Sequence, residues 1–501
     1  MGVNVIDQIV PKNAGDFGVC QDQYLIGGWR TVADIAARNA IPSQRRTVGM
    51  RTRVVATAQT FELVGGIDNA NWTEVTGGGG PSVIADHTEE PLTFQIDQTG
   101  GTDLAATVTT QAAIDSHGAW KTIEGVIDSL PDNLLDLVRM ELADGVHPMT
   151  SPRAFGNLQR INLCMRESIY PWLTGHIEIA SKNSPVRISG TGEYDVATGV
   201  FPSPYNYVEI TLTADPGFSA DQYAFRFLRV VSGTAAGTLF PIRKHAGALF
   251  ECLNFDQPLP DATSKVEIIE SSAKIDFSTT PIDYVIPLAA PRELAAFYRG
   301  VQFTEVDIDF ANRSFIPMRG ITEFTRCRVV NGDPLWPYNN AQIRTDTTII
   351  DCNSNNYGIG ILVGQGAAIL RNTLIGNLGS AGWYGGHAIY VRQYNYSAKY
   401  YRASGVLSQT AVENVVGDGI NIEGFNADFA GGVGYKNGNV TGWAVHCRKG
   451  GRFYLQYSGG YAVGGAGTIK IDADEFSAVD WSDFRSVDPV TGNRLSMATE
   501  V

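Results

Sequence analysis

One phrase near the C-terminal end restricts the fold more than any other feature of the chain. It reads Asn-Tyr-Gly-Ile-Gly-Ile at 356–361, Gly-His-Ala-Ile-Tyr-Val at 386–391 and Gly-Asp-Gly-Ile-Asn-Ile at 417–422. It returns as Gly-Trp-Ala-Val-His-Cys at 442–447 and decays to Gly-Tyr-Ala-Val-Gly-Gly at 460–465. The third slot is always Gly or Ala, the fourth always Ile or Val, and starts are 30, 31, 25 and 18 residues apart. Apolar residues at every second position mark a strand with one buried face. A tiny residue just before them suits a corner where backbones approach closely. Strands this short cannot bury their faces alone, so each must be covered by the next copy. The pattern predicts a mainly β chain built on a right-handed, single-stranded parallel β-helix, with the insertions as lateral loops.

Composition agrees. Glycine is 55 of 501 residues and charged residues are 18%, a turn-rich β profile. The formal charge of −14 argues against wrapping nucleic acid or lying on an anionic membrane. No run approaches the roughly 18 apolar residues of a membrane helix, so no membrane insertion is expected. The N-terminus lacks a basic region followed by an apolar core and does not read as a signal peptide. The six cysteines form no CxxC pair, which points to buried free thiols. No metal and no cofactor are expected: phosphate-loop, HExxH, EF-hand and Gly-x-Ser-x-Gly patterns are all absent.

Along the chain, residues 1–25 read as an arm that orders against a partner. Residues 26–76 read as a small α+β unit. Thr31 is the candidate N-cap of a helix running to Arg38, Pro42 stops it, two strands follow, and Trp72 closes the unit. A glycine run, Thr76 to Pro81, opens a linker or neck over 77–118. Residues 119–143 carry apolar residues at helical spacing and predict a helix that caps the open end of the first coil. The β-helix is expected over 144–470, with a side subdomain or long loop inserted around 200–290. The acidic tail, 471–501, is expected to cap or lie along the last coil.

Three surfaces could carry function. In FTEVDIDF, 303–310, alternation places Glu305, Asp307 and Asp309 on one face, with same-face residues about 6.6–6.8 Å apart. That spacing suits paired carboxylates for glycoside cleavage, and equally a wet strand face. In the repeated phrase, the fifth slot holds Gly360, Tyr390, Asn421, His446 and Gly464, which would stack outward at ~4.8 Å steps. The turn slot brings Asp418 toward His387 or His446, an acid–base pair or merely a stabilising ladder. The third surface is a tyrosine-rich insertion, 390–405. With Trp336 and Trp383 from nearby loops, it offers Tyr390, Arg392, Tyr394 and Tyr396 for a glycan or receptor, or for packing between chains.

Residues 26–76 resemble a module near the N-termini of tailed-bacteriophage tail fibre and tailspike proteins. The resemblance rests on Gly27-Gly28, Thr31 to Arg38, Ile41-Pro42, Arg45-Arg46, Gly49-Met50 and Trp72. Arg229 to Glu270, with its Ser232–Gly237 turn and Pro258 and Pro260, is similar to a passage of phage β-helix appendages. The resemblance implies a homotrimeric virion appendage made in the host cytoplasm. Residues 1–76 would dock on other tail or neck proteins, and the β-helix would recognise a host surface polysaccharide or receptor. Depolymerase activity, by hydrolysis or elimination, stays open, with Glu305, Asp307, Asp309 and Asp418 as its candidate acids. The alternative is a non-enzymatic structural protein of the collar, baseplate or head.

Overall fold

In the computed structural model, the described residues are 29–57, 59–74, 90–104, 106–130, 136–149, 177–201, 207–253, 257–279, 284–285, 300–315, 321–337, 341–352, 359–364, 366–378, 386–392, 403–408 and 410–423, together with short strands between Ala427 and Thr499. The arm at 1–25 and the glycine run at 76–81 lie outside them. The chain divides into two units, Met1–Ala85 and Asp86–Val501.

In the first unit, the strands Trp29–Val32, Arg51–Val54, Gln59–Leu63 and Trp72–Glu74 form one sheet in that order. The first pair is parallel and the others antiparallel. Thr31 lies in the first strand, and the cap of the helix Ile35–Asn39 is Asp34, whose Oδ1 accepts the Ala37 N–H at 2.8 Å. An aspartate side chain can reach the third N–H of a helix that starts one residue after it, so the helix begins later than Thr31 suggested. Ile41, Met50, Val54, Phe61, Leu63 and Trp72 make the core. The basic pair splits. Arg45 ends a short 3-10 turn, whereas Arg46 is buried and donates to the carbonyls of Asn39, Ile41 and Ile67 at 2.7, 2.8 and 2.9 Å. Arg38 lies over the Phe61 ring at 4.1 Å. A guanidinium spreads its donors over three nitrogens and ties a different loop carbonyl with each, a reach that the single nitrogen of lysine lacks.

The second unit is a parallel β-helix whose rungs stack in three columns. In the first column, register partners Gly300, Ile321, Gln342 and Ala367 follow one another, then Ser404, Asp428, Arg452 and Ala478. Those numbers make turns of 21, 21, 25, 37, 24, 24 and 26 residues, the longest spanning the tyrosine-rich insertion. The second column runs from Gly145–Pro148 through Ala273–Asp276, Asp307–Asp309 and Leu374–Leu378 to Ala411–Val415 and beyond. The third takes Ile359–Val363, His387–Arg392, Ile420–Glu423 and Val445–Arg448.

Corners between columns need a residue in the left-handed region. Glu305, Arg326, Thr347 and Asn372, with φ from +47° to +55°, stand one rung apart at the first corner. Ala311, Asn331, Asn377 and Asn414 serve the second corner, three of the four being the residue type that best tolerates that conformation. Their amides also bond between rungs: Asn414 donates to Asn377 and Asn377 to Asp351, at 3.0 and 2.7 Å. Inside the helix, Phe303 stacks on Phe324 at 5.3 Å and Phe277 on Phe310 at 5.1 Å. Cys327 and Cys352 fill interior slots as free thiols, and burial pushes the Cys327 thiol up to about 12.

The coils extend past both expected limits. Leu92–Ile96 pairs in parallel with Val138–Leu142, so the first rung lies inside the stretch read as a neck. At the other end, Ala478–Asp480, Ser486–Val487 and Ala498–Thr499 continue the three columns. The helix expected over 119–143 is also revised. The structure has two short helices, Gln111–His117 and Ile123–Ser129, and Val138–Leu142 is a strand. Val138, Met140 and Leu142 alternate with Arg139 and Glu141, a period of two that the Leu-rich run at 134–138 disguises. Trp120 is fully buried against the first rung. Its backbone N–H donates to the Gln95 carbonyl at 2.8 Å, and its ring meets Phe94 edge-on at 4.9 Å.

Between Ser181 and Ala273 the chain leaves the stack and builds a separate body. Glu193–Val200, Tyr207–Leu212, Leu249–Leu253, Leu239–Ala246, Phe227–Ser232 and Lys265–Glu270 pair antiparallel in that order, and the last pairs back to the first. The sheet therefore closes into a six-stranded barrel, with Val186–Arg187 pairing beyond Glu193–Asp195 along the edge of the last strand. Val208, Ile210, Leu228, Phe240, Phe250 and Ile268 lie in its core. Phe225, Phe227, Leu239, Leu253 and Ile269 pack onto Ile349, Leu374 and Ala411 of the second column. Gly376 permits the approach: a Cβ there would stand 2.6 Å from the Phe225 ring. Arg243 pairs with Glu413 across this contact; both are buried.

Trp120→Ala is expected to destabilise the second unit by about 3–5 kcal/mol, the usual cost of emptying a large buried aromatic site. Chemical denaturation of the variant checks this; an unchanged midpoint would show that the cap does not depend on the ring.

Candidate functional site

The third column collects the candidate residues of the repeated phrase. Along each strand the core takes alternate side chains: Ile389 and Val391, then Ile420 and Ile422, then Val445. Tyr390 and Arg392, Asn421 and Glu423, and His446 occupy the other face. The register joins Tyr390 to Asn421 and Asn421 to His446 on successive rungs.

Two end members of the expected ladder are replaced. Leu362, not Gly360, stands opposite Tyr390, and Lys470, not Gly464, stands opposite His446. The first phrase is shifted by two residues, a slip that alternation conceals because it keeps every side chain on its face. The decayed copy, Tyr461–Val463, belongs to the second column, paired with Lys436 and Asn437. The ladder is also not solvent-facing: Tyr390 and Asn421 are only 2% and 1% exposed.

Polar contacts within this cluster are dense. The Asp418 N–H donates to His387 Nδ1 at 2.9 Å, which leaves the proton of a neutral His387 on Nε2. Asp418 Oδ2 accepts from Asn421 Nδ2 at 2.6 Å and lies 3.1 Å from His446 Nδ1. The Tyr390 hydroxyl donates to the Glu423 carboxylate. Trp336, half-buried, packs against Ile359, Leu362 and Tyr390. Arg392 sits beside Glu423 in register at the edge of this patch. Thus Asp418, Tyr390, Trp336 and Arg392 share one face of one column. Trp383, Tyr394 and Tyr396 lie outside the described residues.

The three acids at 305–309 stand elsewhere, where the barrel meets the second column. Val306, Ile308 and Phe310 enter the core. Glu305 is not on the same face as the other two, because its φ of +55° makes it the corner residue, and Arg326 holds it at 2.8 Å. Asp307 is buried. Burial raises its carboxyl above the ordinary range, and Arg328, Ser271 and Arg226 offset this only in part. Asp309 is also raised by burial, but Lys274 at 2.8 Å, Asn331 at 3.0 Å and the Ala311 N–H together outweigh it and hold it below the ordinary range. Each of the four candidate carboxylates therefore already has protein partners.

The buried pair between Arg243 and Glu413 escaped the sequence reading. Glu413 sits among buried Ala411, Val412 and Val415, and an acid between apolar strand residues was the available signal. No group of three or more His, Cys, Asp and Glu side chains suited to a metal ion occurs among the described residues.

No family model and no curated protein matches the chain. Among solved structures, the tailspike protein gp49 from Pseudomonas phage LKA1 is 11% identical, with 70% of each chain covered and a TM-score of 0.23. The tailspike gp61 of Pseudomonas phage phi297 is 11% identical, with 82% of this chain and 80% of that one covered and a TM-score of 0.21. The Gp54 tailspike of Acinetobacter baumannii bacteriophage AP22, solved with A. baumannii capsular saccharide, is 7% identical, with 70% and 68% covered and a TM-score of 0.15. At these scores the β-helix assignment rests on the strand register itself.

The opposite shifts of the two neighbouring acids give opposite pH behaviour. Asp309, depressed in the folded state, contributes stability that is present above its unfolded pKa and lost as pH falls through the depressed value. Asp307, raised, favours the folded state below its unfolded pKa and loses that contribution as pH rises through the raised value. Asp309→Asn is expected to cost about 1–3 kcal/mol at pH 7, whereas Asp307→Asn should gain stability at pH 7 and lose that advantage in acid. Denaturation midpoints across pH check both; a matching loss in the two variants would refute the assignment.

Proposed function

We propose that the chain is a virion appendage of the tailspike type, which attaches to the particle through residues 1–76 and recognises a host surface glycan with its β-helix. The observation that carries this reading is the layout. A small unit with its own core precedes a long three-column stack, and the stack carries a lateral barrel. The N-terminal resemblance supports docking, because Arg46, Trp72 and Ile41 in that pattern are the residues that build the unit's core and bind its loops.

Binding without bond cleavage is the form favoured here. A general acid or base needs a free proton site within reach of substrate. Glu305 is tied to Arg326, Asp309 to Lys274 and Asn331, Asp307 is buried, and Asp418 accepts from Asn421. Those pairings are what a stabilising ladder requires. Virion structural protein remains the second reading, favoured by the same pairings.

As a parallel trimer, the protein should run at about three times its chain mass of 54.1 kDa in light scattering. It should be retained on purified bacterial capsular polysaccharides and release neither reducing ends nor unsaturated sugar from them. A monomer without retention would overturn the appendage reading, and product release that Asp418→Asn abolishes would restore catalysis.

A further inference from the structure

The barrel does more than ride on the stack: between the two lies a cleft of about 650 Å³, a size typical of small-ligand sites. One wall comes from the first corner of the β-helix: Thr325 and Arg326, Asp346 and Thr347, and Arg371. The register places Thr325, Asp346 and Arg371 on three consecutive rungs, a span of about 10 Å at the usual ~4.8 Å strand spacing. The other wall is the barrel's 236–239 segment, with Gln257 and Pro258. None of these residues belongs to the third-column cluster.

The barrel wall is preformed. Ala235 and Gly237 have φ of +67° and +86°, and the Ala235 conformation is strained for a residue with a Cβ. The turn is held from behind. Thr234 Oγ1 donates to Asp261 at 2.9 Å, and the Thr263 hydroxyl and N–H donate to the same carboxylate at 2.6 and 2.8 Å. Those hydrogen bonds, Thr263's first, hold the Asp261 carboxyl below the ordinary range. Gly233 lies so close to the Thr263 carbonyl that a Cβ would stand 2.1 Å from it. On the opposite wall both guanidiniums are exposed, and Arg326 gives only part of its five-donor fork to Glu305.

From this geometry we infer that the cleft is a binding site for a saccharide chain bearing carboxylate groups. Two guanidiniums set two rungs apart fit carboxylates recurring along a chain. Asp346, Thr325, Thr347, Thr238 and Gln257 between and opposite them supply the acceptors and donors that sugar hydroxyls need. The chain as a whole, at a formal charge of −14, repels such a ligand, so the cation pair fixes where it lands. This inference rests on the glycan-recognition reading and names its ligand class.

The probes are hyaluronate, alginate and polygalacturonate oligosaccharides, with maltotetraose as the neutral control, titrated by calorimetry into the full-length protein. At least one acidic probe is expected to bind at least tenfold more tightly than maltotetraose, and more weakly as salt is raised. Arg371→Ala and Arg326→Ala should each weaken it tenfold or more, while Arg51→Ala, in the other unit, should not. Circular dichroism and the light-scattering mass of the variants guard against misfolding, and Arg371→Lys should recover part of the affinity. No binding of any acidic probe, equal binding of the neutral one, or indifference to both arginine variants overturns the inference. Retention of wild type and Arg371→Ala alike on capsular polysaccharide would then leave the broader glycan reading standing. Absence of wild-type retention there would sink that reading instead.

Discussion

Rung-on-rung pairing is the constraint on which everything else in the second unit depends. A coil of 21 to 26 residues has no sheet of its own; its backbone groups and its apolar interior are satisfied only by the coils above and below. Stacked Phe303 and Phe324, and the free thiols of Cys327 and Cys352, are the side-chain expression of that rule. So are the corners. A chain that must turn at the same height in every coil repeats a left-handed residue at the same place, whether Glu305, Arg326, Thr347 or Asn372. The exposed ends of such a stack are its liability, and Trp120 with two short helices covers the first of them.

Much of this was legible in the chain itself. Alternating β-branched residues after small ones named a stack of parallel coils, and four of the five phrase copies fall in one column, three of them, at Ile389, Ile420 and Val445, in the expected register. What failed did so for physical reasons. Alternation is blind to a slip of two, so the copy ending at Ile361 was misaligned. A leucine-rich run looks helical until its last five residues pair as a strand. The extent of the stack was underestimated because its terminal coils, at 92–96 and 478–499, lack the phrase altogether.

Site residues were harder to read, because function in a solenoid depends on what neighbouring coils bring together. Asp418 and His446 were nominated together and do meet, since one column position repeats from coil to coil. Glu305, Asp307 and Asp309 looked equivalent, yet a corner, a buried junction and an ion pair divide them. No local pattern announces that a strand segment will be roofed by a barrel closing through pairing of Glu193 with Glu267. The cleft beneath that roof joins segments scattered from Ala236 to Arg371, and so carries no signature in sequence.

The barrel's ends are as informative as its walls. The chain departs at Ser181 and returns at Ala273, and the Ser181 hydroxyl meets both Ser272 Oγ and the Ala273 N–H, at 3.2 and 3.1 Å. The six strands of the ring pair with one another, and the one added pairing, to Val186–Arg187, also comes from within the excursion. The rod thus treats about ninety residues as a cartridge with a single socket. A single exchange of sequence at that socket would replace the whole body and leave the stack beneath it as it was.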